Sequence, residues 1–381
     1  MSRPAVFVLA SGAVTAAGTG VPALLQAATD EAWQPEVGLE RPDAPPLPVA
    51  VCRGFSAREV LPPLVARRLD RPARLLAVAA REALAPLGEP LPWPRERIGV
   101  AAATWNAGTS ALLEVLRAVF LASPEEAPPA QFPSTVANAP ASQLGILEKL
   151  GGPNLTVAEK QAGGLRALAE AARMLERGRA DAVLACGVDE ADWVNAEGYD
   201  RLGALRTVGR PGMVLGEGAG VLVLAREPGP APLAVLAGWG SAGAPAPPHR
   251  YPARPEALVD ACRGALRRAT LAPGDVELAV SLSNGIPALA ALELESLQAV
   301  LGTHRPAAFS AADRLGEGAF SGTVRALLAA HILAGTATVA WPVPGHLAGA
   351  GFRAISGRPR TALVAAAAGG GSAVALVLTA A

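Results

Sequence analysis

The chain has 381 residues and equal numbers of acidic and basic side chains, so its net charge is zero. That balance argues against the basic face a nucleic-acid or anionic-membrane partner would select. Cys52, Cys186 and Cys262, like the four histidines, are too scattered for a disulfide framework or metal-ligand spacing, so no metal and no cofactor is expected. Apolar residues make up 51% of the chain but aromatics only 4%, which leaves Ala, Val and Leu to build the core.

In chain order, residues 4–17 resemble a short signal peptide, but a buried strand at 6–10 turned by Ser11-Gly12 suits them better. A helix is expected at 21–28, a Pro-rich surface loop at 35–48, a strand at 98–104 and a helix at 110–121. A second loop falls at 123–129, a helix at 165–177, and strands at 182–185 and 221–224. After a Pro/Gly link at 225–232 come strands at 233–238 and 278–283 and helices at 255–269 and 291–301. The last 21 residues are apolar enough to span a bilayer. The run Gly369-Gly370-Gly371-Ser372 splits them, so a buried hairpin is the better reading. Alternating strands and helices predict an α/β layered fold. The odd cysteine set and the lack of a spanning segment predict a cytoplasmic protein.

One stretch carries the chemical question. Gly152-Pro153-Asn154-Leu155-Thr156-Val157-Ala158-Glu159-Lys160-Gln161-Ala162-Gly163-Gly164 is an apolar strand, a tight turn and the small residues that open a helix. A side chain at such a turn sits where free N–H groups and the helix dipole favour negative charge. A cysteine there would be activated as a thiolate. Gln161 is a neutral amide and cannot form a covalent intermediate. The small residues and apolar helix at 162–172 recur at 320–330, with strands expected at 182–185 and 336–341, which points to two related halves with a central helix each.

These segments, with Gly12-Ala13-Val14-Thr15, Val136-Ala137-Asn138-Ala139-Pro140-Ala141-Ser142 and Leu215-Gly216-Glu217-Gly218-Ala219-Gly220, resemble the β-ketoacyl synthases. The resemblance implies a thiolase-like duplicated fold, five-layered αβαβα, divided here into halves at 1–228 and 229–381. It also implies that each catalytic position is degenerate. The nucleophile is Gln161, the first histidine position falls at Leu282, the second at Glu317, the lysine position at Ala312, and the aromatic gate at Gly369. Losing the donors that hold a forming enolate costs about 10²–10³ each in rate, so condensation is not expected. Glu317 would repel an enolate unless burial protonates it.

Gln161-Ala162-Gly163 and Gly316-Glu317-Gly318-Ala319-Phe320-Ser321-Gly322 are similar to the chain-length factors of type II polyketide systems, with one extra residue in the second turn. That implies a catalytically inactive subunit in a heterodimer with a catalytic ketosynthase, working with an acyl carrier protein and a growing acyl chain. By the same resemblance Thr109, Leu112 and Leu116 would line the tunnel that limits chain length. Their small size implies a long product such as a polyene. Phe132, Thr135, Val136, residues 155–157 and Trp193 would lie at the subunit interface. A malonyl-carrier-protein decarboxylase using Gln161 and Glu317, and a stand-alone pseudo-ketosynthase that binds carrier protein, are the alternatives.

Overall fold

The computed structural model describes residues 4–42 and 44–381. In the first half, β1 (Phe7–Thr15), β2 (Gly18–Thr19), β5 (Ile98–Ala103), β6 (Asn154–Val157), β7 (Ala182–Asp189) and β9 (Gly218–Ala225) join one sheet. β3 (Val37–Arg41), β4 (Ala44–Ala50) and β8 (Leu215–Gly216) form a small second sheet. The second half adds β10 (Ala234–Gly243), β11 (Leu278–Ser281), β12 (Ala307–Ser310), β13 (Thr361–Ala367) and β14 (Ser372–Thr379) to the large sheet.

The two halves repeat one plan. The strand order is β6-β5-β7-β9-β1 in the first and β12-β11-β13-β14-β10 in the second. In each, the first three neighbours are parallel and the remaining pairs antiparallel. The halves meet where β1 pairs with β10 through Phe7–Val235 and Val8–Ala234, so a single eleven-stranded sheet runs through the molecule.

The helices are α1 (Val21–Ala28), α2 (Pro63–Arg68), α3 (Arg71–Leu84), α4 (Thr109–Leu121), α5 (Ala139–Leu147), α6 (Gly163–Glu176) and α7 (Trp193–Arg201), followed by α8 (Glu256–Ala269), α9 (Pro287–Leu301), α10 (Ala312–Leu315), α11 (Ala319–Ala334) and α12 (Gly345–Ala348). α3 covers one face of the first half-sheet and α8 one face of the second, while α6 and α11 pack on each other and against both half-sheets. This is the five-layer αβαβα arrangement. The central helices approach closely because Gly164 has no Cβ, which would stand 2.7 Å from the Thr323 backbone nitrogen.

Three local expectations are corrected. Ser11-Gly12 is not a turn: β1 runs on to Thr15, and Gly12 is small because a Cβ there would overlap the Ala79 carbonyl of α3. The stretch at 35–48 is mostly the β3–β4 hairpin, because Leu47 and Val49 bury into a small core beside Met213 and Leu215. Residues 336–341 form no strand. Trp341 instead inserts beside α1, donating its indole N–H to the Ala27 carbonyl at 3.0 Å and stacking on Trp33 at 6.1 Å between ring centroids. The strand that follows α11 in the repeat is β13. No helix among the described residues is long and apolar enough to cross a membrane. The chain's last 21 residues form the hairpin expected there: β13, the glycine turn and β14, paired antiparallel.

Candidate functional site

The turn between β6 and α6 is a 3₁₀ turn over Lys160–Ala162, with Lys160 at φ 48°. A left-handed lysine is strained, so the surroundings must hold it. They do so through two residues of the turn. The Glu159 carboxylate takes a two-pronged bond from Arg166 of α6, 2.7 and 3.0 Å, and a hydroxyl bond from Ser372 of the glycine hairpin. The Lys160 ammonium donates to the Pro248 carbonyl and, at 3.2 Å, to the Gly369 carbonyl.

Gln161 is 7% exposed and faces inward. Its amide nitrogen donates to the Tyr251 hydroxyl at 3.1 Å. The Asn284 amide donates to the same hydroxyl at 3.2 Å and to the Glu317 carboxylate at 2.9 Å. Glu317 also accepts from the Ser321 hydroxyl and from the Gly318 N–H at 3.2 Å. Burial pushes the Glu317 carboxyl above its ordinary value, and the buried Arg325 on α11 partly opposes that. Arg325 itself donates to the Ala365 carbonyl at 2.7 Å and the Ser281 carbonyl at 3.2 Å. Burial likewise raises the Tyr251 hydroxyl, with the Glu317 charge adding to it.

The geometry joins Gln161 and Glu317 in one buried polar network, through Tyr251 and Asn284. Leu282 does not join it. Its side chain lies in the apolar core under α8 and α9, and its N–H donates to Glu293 at 2.9 Å. The group from that loop that reaches Glu317 is Asn284, two residues on. Ala312 is buried at the start of α10, where its carbonyl accepts the Gly316 N–H. Gly369 sits under the segment that carries Tyr251: a Cβ there would stand 2.7 Å from the Pro248 carbonyl oxygen. Sequence reasoning missed Tyr251, Asn284 and Arg325. The one signal for Tyr251 was composition, since the chain has only two tyrosines.

Among the described residues, none of the four histidines bonds to this network. His304 bonds to the Val276 carbonyl, His331 to Ser11 and Thr336, and His346 to Glu293. The three cysteines are buried elsewhere. No group of His, Cys, Asp and Glu among the described residues could hold a metal. Gln161, Tyr251, Asn284 and Glu317 thus offer hydrogen bonds but no nucleophile and no imidazole.

A second cluster fixes α4. One Asp189 carboxylate oxygen accepts from the Thr104 hydroxyl at 3.0 Å and from the N–H groups of Trp105 and Asn106 at 2.7 and 2.6 Å; the other accepts from the Ala319 N–H at 2.6 Å. Burial raises this carboxyl to about 6 despite those bonds. Glu190 accepts the Ser110 N–H at the N-terminus of α4 and is raised to about 7, chiefly by burial. Thr109 bonds to Asn106 and Asn195 at 2.9 Å each. Leu112 and Leu116 are 41% and 37% exposed on α4. Phe120 and Leu121 at its end, Phe132 and Val136 beyond it, and Ile146 on α5 are exposed as well. Trp193 is half-buried at the start of α7.

Residues 58–228 match the family model for the N-terminal domain of β-ketoacyl synthases. Over that segment, somewhat under half of its length, the chain is similar to the β-ketoacyl synthases. A Vibrio harveyi 3-oxoacyl-[acyl-carrier-protein] synthase 2 is 32% identical over 39% of this chain and 40% of its own length. The ketosynthase-like chain spans well under two thirds of that relative. Two solved structures cover all of it and are covered in full by it. One is the ishigamide ketosynthase/chain length factor, 19% identical with a TM-score of 0.87. The other is a ketosynthase in complex with its chain length factor from Xenorhabdus doucetiae, 21% identical with a TM-score of 0.82. At these identities the likeness is one of fold.

Proposed function

We propose that this ketosynthase-like chain is a non-catalytic chain-length factor. It pairs with a catalytic ketosynthase of a type II polyketide system and supplies part of the wall along which the growing acyl chain extends. The observation that carries the reading is the group at the nucleophile turn: Gln161 is bonded to Tyr251, and the facing groups are Asn284 and Glu317. Malonyl decarboxylation or condensation needs a donor pair aimed at a thioester oxygen, and condensation also needs a nucleophile. A raised carboxyl at Glu317 supplies at most one donor.

The apolar surface around α4 supports the partner half of the proposal. Leu112, Leu116, Phe120 and Leu121 are exposed on one helix, with Phe132 and Ile146 on the segments that follow. An exposed apolar area of that kind usually marks a protein interface. β6 ends the sheet, so its outer edge has unpaired backbone groups, which monomeric proteins normally shield. In this reading Thr109, Leu112 and Leu116 face the chain's tunnel, and Phe132, Thr135, Val136 and Trp193 the partner.

The test is co-expression with a cysteine-containing ketosynthase encoded nearby, followed by affinity purification of this chain and assay for malonyl-carrier-protein decarboxylation. A stable one-to-one complex that makes polyketide, with no carbon dioxide release by this chain alone, is expected. Carbon dioxide release by this chain alone would move the reading to a decarboxylase. Stable monomer with no partner would leave a stand-alone carrier-protein binder.

A further inference from the structure

A surface pocket of about 560 Å³ lies beside the degenerate site. Its floor is apolar, with Ile286, Pro287 and Leu292, and His249 and Arg250 stand on its wall. Tyr251 lines it too, yet Gln161, Asn284 and Glu317 do not. The same tyrosine has its hydroxyl bonded to Gln161 and Asn284. Its ring is therefore the partition between the open pocket and the buried network.

A strap of chain holds that ring in place. Ala244 donates to the Gly371 carbonyl at 2.9 Å, and Gly370 donates to the Arg250 carbonyl at 3.1 Å. Lys160 reaches from the nucleophile turn to Pro248. The strap lies flat on the turn because residues 369 and 371 have no side chains: a Cβ at 369 would stand 2.7 Å from the Pro248 oxygen, and one at 371 would stand 1.6 Å from the Ala244 oxygen. Behind the ring, Gln161 keeps one polar atom, Oε1, buried with no partner. An isolated buried acceptor is costly to leave unmade, so the bond from Gln161 to the Tyr251 hydroxyl satisfies only half of the amide.

We propose that Tyr251 is a stopper, seated by the strap at residues 244–251, and that glycine at position 369 is what admits it. The pocket then ends blind at the ring, and a thioester arm entering from the surface cannot reach the residue at the nucleophile turn. This stands on the geometry of the chain itself and holds whether or not the partner reading above is right.

The experiment uses a reporter thiol. Gln161→Cys is made in the full chain, and its alkylation by N-ethylmaleimide is followed by mass spectrometry, with the exposed Ala122→Cys variant as reference. With Tyr251 intact, labelling at position 161 should run roughly 100-fold slower than the reference, the protection expected of a site reached only by local opening. Adding Tyr251→Ala should speed it by roughly tenfold or more, and adding Gly369→Phe should do the same by displacing the strap. Tyr251→Phe keeps the ring and should stay slow. Fast labelling of Gln161→Cys with Tyr251 intact would overturn the proposal, and this arm needs no second substitution. Unchanged slow labelling in Tyr251→Ala and Gly369→Phe, each with native circular dichroism, would also overturn it.

Discussion

Asp189 gives the sharpest stability prediction, because two opposing effects act on one side chain and pH separates them. Asp189→Ala removes the acceptor for three buried backbone N–H groups, those of Trp105, Asn106 and Ala319, and for the Thr104 hydroxyl. Leaving a buried donor unsatisfied costs about 1–3 kcal/mol each, so the three N–H groups alone, which unlike the Thr104 hydroxyl cannot rotate to another partner, put the gross loss on the order of 3–9 kcal/mol. Against this, the native carboxylate is itself destabilising when ionised. Burial raises it from 3.8 to about 6. At 1.36 kcal/mol per unit, its absence returns about 3 kcal/mol at neutral pH. The net loss near neutrality should be about 3 kcal/mol, within a range of roughly 0–6.

The sign with pH follows from the raised value. The folded state holds its proton when the unfolded chain has already lost it, so wild-type stability contributed by this group falls as pH rises from about 4 to about 6. The variant lacks that fall. Between about pH 5 and about pH 7.5 the gap between wild type and Asp189→Ala should narrow by about 1.4 kcal/mol. Urea unfolding of both proteins at the two pH values measures it. A gap that is constant or widens with pH would refute the raised carboxyl, and a variant as stable as wild type at about pH 5 would refute the donor count. Because this carboxylate fixes the loop ahead of α4, weakened partner binding should accompany the stability loss.

Four further outcomes are expected. Leu112→Trp with Leu116→Trp should shorten the polyketide made with the ketosynthase present; unchanged product length would remove both residues from the tunnel wall. Gln161→Cys should not give condensation, since the groups in the network around it are Tyr251, Asn284 and Glu317 and no imidazole, and a radiolabelled malonyl assay reads this directly. Arg325→Met should cost about 3–5 kcal/mol in thermal or urea unfolding, because it strands Glu317 and two carbonyls in the core; Glu317→Gln in that background should recover part of the loss. Phe120→Glu with Ile146→Glu should weaken association with a ketosynthase by roughly 30-fold or more, about 2 kcal/mol, measured by titration of the purified subunits.

What the sequence could determine alone was local. A turn rich in small residues ahead of an apolar helix is legible because its geometry depends on neighbours in the chain, and so is a hairpin split by three glycines. That Gln161 is no nucleophile was legible for the same reason: an amide has no thiolate chemistry whatever surrounds it. The alternation of elements and the recurrence of the central helix carried the layered fold. The β3–β4 hairpin was hidden because prolines mark loops and edge strands alike, and only burial of Leu47 and Val49 decides between them.

The rest is tertiary. Gln161 meets Tyr251 across 90 positions, and Asn284 meets Glu317 across 33, contacts that no period or motif encodes. Counting along the chain pointed to Leu282, but the backbone turns that residue into the core under α9 and brings Asn284 to the carboxylate instead. The sequence by itself therefore determined that the nucleophile turn holds no nucleophile. Only the packing of residues 244–251 on the glycine turn at 369–371 decided that Gln161 meets a tyrosine, because those segments lie far apart along the chain and are joined by tertiary contacts that no local pattern encodes.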